Sequence, residues 1–244
     1  VFPRYDAVFV CTAGEPQEDL FMKTMWKHFP AAFVDKIPAE PNDGDFAELT
    51  EYINKCENRK PPMALRKPDM EAKINGRRIL MRRRGSAGVL GTGNLFMLAE
   101  RSGKIDDFMF YFGENSLKVL FKEKNSPVAE INVGLEGEYG MSEIKLSNLT
   151  VPVASYGTWI SDNKFRLTII PTSMAQYREF TFTFDPLGNV RVHSVAKPGF
   201  KDLFEFYLMF NGTRPGDFLK KACGAFGSVV SLVLDPNFGG HIKK

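Results

Sequence analysis

The sequence predicts a mainly β protein, α+β as a whole, in which a strand and a helix precede an antiparallel β-barrel. Three observations lead to this prediction. An apolar run at residues 7–11 is followed by a stretch in which apolar side chains have helical spacing. From about Ile74 onward, short strand-like runs recur between turn signals such as Asn75-Gly76. The chain also contains 22 Phe against 7 Tyr and 2 Trp, and nine of the Phe lie in these runs, which indicates an aromatic-filled β core.

The apolar run at residues 7–11 is the first predicted element, and Gly14 follows it. A continuous apolar run of this length is typical of a strand that is buried on both faces. Such a strand needs neighbours on both sides, and residues 1–6 supply none. We therefore expect the chain to be the C-terminal part of a larger protein.

Two helices and a linker are predicted next. Pro16 and the acidic residues after it suit a first helical turn, and Pro30 ends that helix. Two prolines, a glycine and several turn formers make residues 34–45 a linker. Asp45 suits the N-cap of a second, short helix that has Phe46 on its apolar face.

The remaining pattern is that of an antiparallel sandwich or barrel, since short strands alternate with hairpin turns. The predicted strands are residues 78–83, 94–98, 107–112, 116–122, 128–133, 151–159, 164–170, 179–185 and 189–195. A short helix up to about residue 225 and a closing strand at 226–234 are expected near the end. The chain therefore divides into a strand with its helix, a linker with a short helix, a barrel and a C-terminal extension, at residues 1–35, 36–73, 74–210 and 211–244.

The charge, the cysteines and the apolar stretches argue against several kinds of partner, site and segment. The net charge of +3 is too small to indicate a nucleic-acid partner. Cys11, Cys56 and Cys223 are odd in number and far apart, so neither a metal site nor a disulfide framework is predicted, and the first two are expected to be buried. No apolar stretch approaches the length of a membrane span, so no transmembrane segment is expected. No cofactor is indicated.

Five arginines, Arg77, Arg78, Arg82, Arg83 and Arg84, crowd into eight residues. We call them the arginine strip. Charge runs are usually solvated, so the first interpretation is a hairpin edge that its charge protects from pairing with other chains. The second interpretation is a contact with an anion or with an acidic surface of a partner.

Aromatic residues on the predicted strands form a second candidate site. Trp159, Phe165, Phe180 and Phe182 fall on one apolar face together with Phe184. If the sheet closes into a barrel, they could line a cavity for an apolar ligand. The alternative is that they fill the interior, as the side chains of small barrels usually do.

Motifs of serine acyl enzymes occur, but not in a convincing setting. Ser142 and Lys145 fit Ser-x-x-Lys, and Tyr52 and Asn54 fit Tyr-x-Asn. Ser-x-x-Lys works on a helix, where both side chains share a face, whereas Ser142 stands in a predicted loop or strand edge. His193 alternates with valines in a predicted strand and is expected to face solvent. No catalytic residue is predicted in this chain.

A family resemblance follows from the order of these parts. Pro3-x-x-Asp6, leading into the apolar strand that ends in Thr12-x-Gly14, resembles the segment near the end of penicillin-binding-protein/β-lactamase-like serine hydrolases. Residues 157–165, with their Gly, Trp, Asp-Asn and Phe, are similar to a pattern in the accessory C-terminal β domain of that family. The resemblance covers most of residues 1–209.

The resemblance implies a parent enzyme that acts on an amide or ester through an acyl-serine. The family's catalytic elements would lie upstream of Val1, so this chain would be an accessory region that is not catalytic alone. It would hold the last strand and C-terminal helix of the hydrolase domain and a lipocalin-like β domain. Its expected partner is the upstream catalytic region or a second copy that pairs through the N-terminal strand.

Several points stay open at the level of sequence. The alternative function is a β-barrel binding module for an apolar ligand or a cell-envelope component. The parent's substrate is β-lactam, peptide or ester. The compartment is cytoplasmic or exported, because the family is often exported whereas the unpaired cysteines favour a reducing setting.

Overall fold

The computed structural model of the chain describes residues 3, 6–10, 18–33, 43–57, 60–82, 88–91, 104–123, 126–146, 149–174, 176–199, 202, 235 and 237–243. It divides the chain into two compact units, Val1–Lys60 and Pro61–Lys244. The predictions at Cys11, Cys223, Arg83 and Arg84, and the predicted elements at 94–98 and 226–234, lie outside the described residues.

The first unit contains both predicted helices. They are α1 (Glu18–His28) and α2 (Asp43–Glu57), and a 3-10 turn at Pro30–Ala32 follows α1. Phe29 joins the opening segment to the end of α1, because its ring centroid lies 4.6 Å from that of Phe9. Cys56 is exposed on α2, so the expectation that it is buried is wrong. Phe46 on the same helix is 70% exposed, which shows that no described residue covers this apolar face.

Where the structure describes the second unit, it contains α3 (Pro68–Ile74) and ten strands. The strands are β1 (Arg78–Met81), β2 (Ile105–Phe112), β3 (Leu117–Glu123), β4 (Val128–Val133), β5 (Gly140–Leu146), β6 (Leu149–Ser161), β7 (Lys164–Pro171), β8 (Tyr177–Phe184), β9 (Asn189–Lys197) and β10 (Asn237–Ile242). They form one antiparallel sheet in the order β4-β3-β2-β1-β10-β9-β8-β7-β6-β5. The sheet curls into a nearly closed barrel, and a bridge between Gly134 and Tyr156 links its two ends. The predicted mainly β, antiparallel barrel is confirmed.

The last strand, β10, lies within the segment 211–244 that the sequence separates as an extension. It pairs with β1 on one side and with β9 on the other. Its sequence, Asn-Phe-Gly-Gly-His-Ile, carries a weak strand signal because glycine and asparagine are depleted in strands. Pairing with β1 and β9 stabilises β10, although its own residues have a low propensity for strands.

Phenylalanine side chains fill the centre of the barrel. Phe182 lies 5.0 Å from Phe108 and 5.1 Å from Phe110, measured between ring centroids, in edge-to-face contacts. These contacts span the interior, since three strands separate β2 from β8 in the sheet. Gly157 leaves room for the ring of Phe165, because a Cβ atom there would lie 2.5 Å from Phe165 Cζ.

Candidate functional site

The predicted aromatic site lies entirely in this core. Trp159 is 1% exposed, and Phe165, Phe180 and Phe182 are 0% exposed. Phe165 packs edge-to-face against Trp159 at 5.3 Å and against Phe110 at 5.8 Å. The apolar surface of these side chains is thus covered by other aromatic rings, and their contact with an apolar ligand stays a prediction.

One end of the barrel is held by a buried carboxylate on α3. Glu71, 4% exposed, accepts hydrogen bonds from Arg66 Nη2 at 2.6 Å, Trp159 Nε1 at 2.9 Å and the backbone N of Lys67 at 3.0 Å. The Arg66 guanidinium also donates to the carbonyls of residues 113–114 in the β2–β3 turn. Burial disfavours the charged carboxylate, but these hydrogen bonds together hold the pKa of Glu71 below its usual value. This arrangement fixes α3 over the barrel end.

The opposite end carries a buried arginine that the sequence analysis missed. Arg178 is 1% exposed and donates from Nη1 to Ser194 Oγ at 2.6 Å and to Asp235 Oδ1 at 3.2 Å. Its Nη2 donates to the carbonyl of Leu90 at 3.4 Å, and its Nε has no hydrogen-bond partner among the described residues. Burial lowers the pKa of Arg178, and the negative charges of Asp235 and Glu123 oppose that effect. The sequence does indicate that Arg178 points inward, because it lies an even number of residues from the inward-facing phenylalanines on β8.

Three members of the arginine strip, Arg77, Arg78 and Arg82, lie among the described residues. Arg77 and Arg78 are both exposed, and Arg78 also donates from Nε to Asp107 Oδ2 at 2.8 Å on the neighbouring strand β2. Arg82 is exposed beside β10, where its backbone N donates to the carbonyl of Gly239 at 2.7 Å. The predicted anion or partner contact stays a prediction for Arg77, Arg78 and Arg82.

A groove of about 480 Å³ lies next to Arg82 on the outer face of β8, β9 and β10. Its lining combines polar and basic side chains with apolar surface, and consists of Thr183, Arg191, His193, Asn237, Phe238 and Gly239. His193 faces solvent, which confirms the expectation for this residue. The sequence pattern places Arg191 and His193 on one strand face, but β10 was not predicted, and without it no groove can be assembled.

Ser142 and Lys145 do not form an acyl-enzyme pair in this fold. Both lie on β5, where side chains three positions apart point to opposite faces of the sheet. Ser142 Oγ instead accepts a hydrogen bond from the backbone N of Asn132 at 2.8 Å. The hydroxyl thereby ties β5 to β4 where the barrel closes.

Comparison with known proteins assigns no relative, because no protein-family model and no curated protein matches the chain. Among the described residues, no group of three or more His, Cys, Asp or Glu is placed to hold a metal ion. Within the same residues, no helix is both long and apolar enough to cross a membrane.

Proposed function

We propose that the chain is an accessory C-terminal region of a β-lactamase-related serine hydrolase and is not catalytic alone. In this proposal residues 1–35 complete the hydrolase domain, and the barrel is its appended lipocalin-like domain. The parent acts on an amide or ester through an acyl-serine that lies outside this chain. The resemblance of the opening segment supports this assignment, and so does the geometry of the first unit.

The opening segment is the main support for this proposal, because it exposes an apolar face. Phe9 packs on Phe29 at the end of α1, whereas Val8 and Val10 are 69% and 79% exposed. In an extended segment, alternate residues point to opposite sides, so the two valines share the side that faces away from Phe9. We infer that these two exposed apolar side chains belong to a surface that another protein element covers.

A second apolar surface lies on α1. Trp26 is 53% exposed and Met22 is 36% exposed, and the two lie one helical turn apart. A sheet-closing strand and its helix would both contact the rest of a hydrolase domain. The upstream catalytic region is therefore the partner that we assign to these surfaces.

Labelling with a fluorescent acyl-serine probe, read by intact mass, tests the proposal. We expect no adduct on this chain alone, because Ser142 is held in a strand and has no Lys on its face. We expect a stoichiometric adduct on the protein that includes the upstream region. An adduct on this chain that Ser142→Ala removes would overturn the proposal.

A pair of valine substitutions tests the assigned surface in the longer protein. Val8→Asp should destabilise the hydrolase domain by about 2–4 kcal/mol, since it buries an unpaired charge at the interface with the upstream region. Val128→Asp is the matched control, because Val128 is 56% exposed on β4 of the barrel. Equal thermal stability of the two variants would show that residues 8–10 stay in water in the parent.

A further inference from the structure

The groove on the outer face of β8, β9 and β10 has a glycine at its floor and arginines on both sides. Thr183 pairs with Arg191 across the sheet, and Arg191 pairs with Gly239. On the other side of Gly239, the backbone N of Arg82 donates to the glycine carbonyl at 2.7 Å. A Cβ atom on Gly239 would lie 3.9 Å from Arg82 Cδ, so the stem of Arg82 reaches over the glycine.

The neighbouring row of residues adds directed polar groups. His193 pairs with Asn237, and His193 Nδ1 lies 2.6 Å from Asn237 Oδ1. An amide oxygen can only accept, so the Nδ1 atom carries a proton in this contact. His193 Nε2 and Asn237 Nδ2 are the remaining polar atoms of the pair, and Thr183 contributes a hydroxyl.

The acidic residues near the groove already have other partners. Asp185 approaches Arg191, but its carboxylate accepts from the backbone N of Leu187 at 2.9 Å and from Asn189 Nδ2 at 2.8 Å. Asp235 is on the His193 side and is engaged by Arg178. Asp235 is thus neutralised by a cation, whereas the donors to Asp185 are neutral and its negative charge offsets part of the positive potential of Arg191.

We propose that this groove binds a phosphate ester, with the phosphoryl group above Gly239 between Arg82 and Arg191. Guanidinium groups match tetrahedral oxyanions in charge and in donor geometry, and two of them on either side of a gap form a clamp. The volume of about 480 Å³ is within the range of small-molecule sites and leaves room for a polar organic group next to the phosphate. Thr183 and Asn237 supply hydrogen bonds for hydroxyl groups on that part of the ligand.

Proton NMR of the imidazole groups is a direct test, because the chain has only three histidines. The probes are inorganic phosphate and glycerol phosphate, with glycerol and sodium chloride at matched ionic strength as controls. We expect saturable shifts of the His193 signals with both phosphates, stronger binding of glycerol phosphate, and no saturable shift of His28 on α1. No saturable His193 shift, or an equal shift with chloride, would overturn the proposal.

Three variants separate the groove from general charge attraction. Arg191→Gln and Gly239→Val should each weaken glycerol phosphate binding about tenfold or more, the first by removing a charged donor and the second by filling the cleft. Both positions are at the barrel surface, and ordinary contacts at 3.9 Å surround the space for a Cβ at Gly239, so the fold should be kept. Arg77→Gln removes the same charge outside the groove and should change binding less than twofold. A loss for Arg77→Gln equal to that for Arg191→Gln would overturn the site.

The source of the phosphate is distinguished with vesicles. Phosphatidic acid in phosphatidylcholine vesicles is compared with glycerol phosphate in solution, on the wild type and on Gly239→Val. Vesicle binding that Gly239→Val abolishes supports the site and assigns a lipid headgroup. Binding only of soluble glycerol phosphate supports the site and assigns a free phosphate ester. The proposed site is contradicted if glycerol phosphate does not bind in solution and Gly239→Val leaves vesicle binding intact. This inference is independent of the proposed hydrolase parent, and it fails or holds without regard to acyl-serine labelling.

Discussion

Replacement of Glu71 by Gln would test how α3 is held on the barrel. Gln has the shape of Glu but lacks its charge and one acceptor. If the Gln oxygen stays near Trp159 Nε1 and the backbone N of Lys67, its amide group faces Arg66 Nη2, a second donor. The substitution therefore removes the ion pair and sets donor against donor inside the structure.

The cost follows from the burial of the two partners. Breaking a buried ion pair by removing one charge costs roughly 3–5 kcal/mol. The Glu71 side chain is 6% exposed, but that of Arg66 is 30% exposed and keeps part of its hydration, which places the cost at the lower end. We expect Glu71→Gln to lower the free energy of unfolding by about 3 kcal/mol. For a domain of this size, that corresponds to a fall in Tm of about 6–12 °C.

Urea unfolding followed by Trp159 fluorescence is the assay. The second tryptophan, Trp26, is 53% exposed in the other unit, so the measurement is made in a Trp26→Phe background. Glu130→Gln is the matched control, because Glu130 forms an exposed ion pair with Lys118, at 2.8 Å, on the barrel wall. Exposed pairs contribute about 0–1 kcal/mol, so the control should change stability little.

The pH dependence provides a second test of the same carboxylate. Since the folded-state pKa of Glu71 is lowered, its contribution is present above its usual value of 4.5 and is lost as the pH falls through the folded-state pKa. The stability difference between wild type and Glu71→Gln should therefore narrow in acid. A variant that resembles Glu130→Gln at neutral pH, or a difference that does not change in acid, would refute this reasoning.

Two further substitutions test the other end and the closure of the barrel. Arg178→Gln should destabilise the barrel by about 3 kcal/mol or more in urea unfolding, because it leaves the carboxylate of Asp235 without its buried partner; unchanged stability would contradict this role. Gly140→Ala should lower the free energy of unfolding by about 3 kcal/mol, since its Cβ would lie 2.1 Å from the Asn132 carbonyl oxygen. An unaltered Tm would show that β4 and β5 can separate without loss of stability.

The barrel was predictable because its signals are local. Strict alternation of Phe and Thr in β8 specifies which side chains point inward, and a hairpin turn such as Gly113-Glu114-Asn115 marks where β2 ends and β3 begins. The same alternation places Arg191 and His193 on the outer face of β9. Alternation along a strand thus indicates which face of the sheet a residue occupies, even when the neighbouring strands are unknown.

The groove and the buried ion pairs were not predictable, because they depend on contacts between distant segments. The ion pair of Glu71 with Arg66 is local, but the hydrogen bond of Glu71 with Trp159 spans 88 residues, and Arg178 and Asp235 are 57 residues apart. The weak strand signal of β10 hid the partner that gives Arg191 its position beside Gly239. An ion pair between remote positions leaves no periodic pattern, and only the closed sheet brings its members together.

Two glycines of the barrel show how the wall separates folding from binding. Gly157 points inward, where a Cβ would lie 2.5 Å from the ring of Phe165, so a larger residue there would disturb the aromatic core. Gly239 points outward, where the nearest atoms to a Cβ are at 3.9 Å, so a larger residue is compatible with the fold but occupies the groove. The interior is filled by aromatic rings, and Glu71 and Arg178 fix its two ends. The outer face already holds a cleft, which residues of β8, β9 and β10 line. Packing of the core does not require a glycine at position 239. We therefore relate Gly239 to the ligand that the cleft binds.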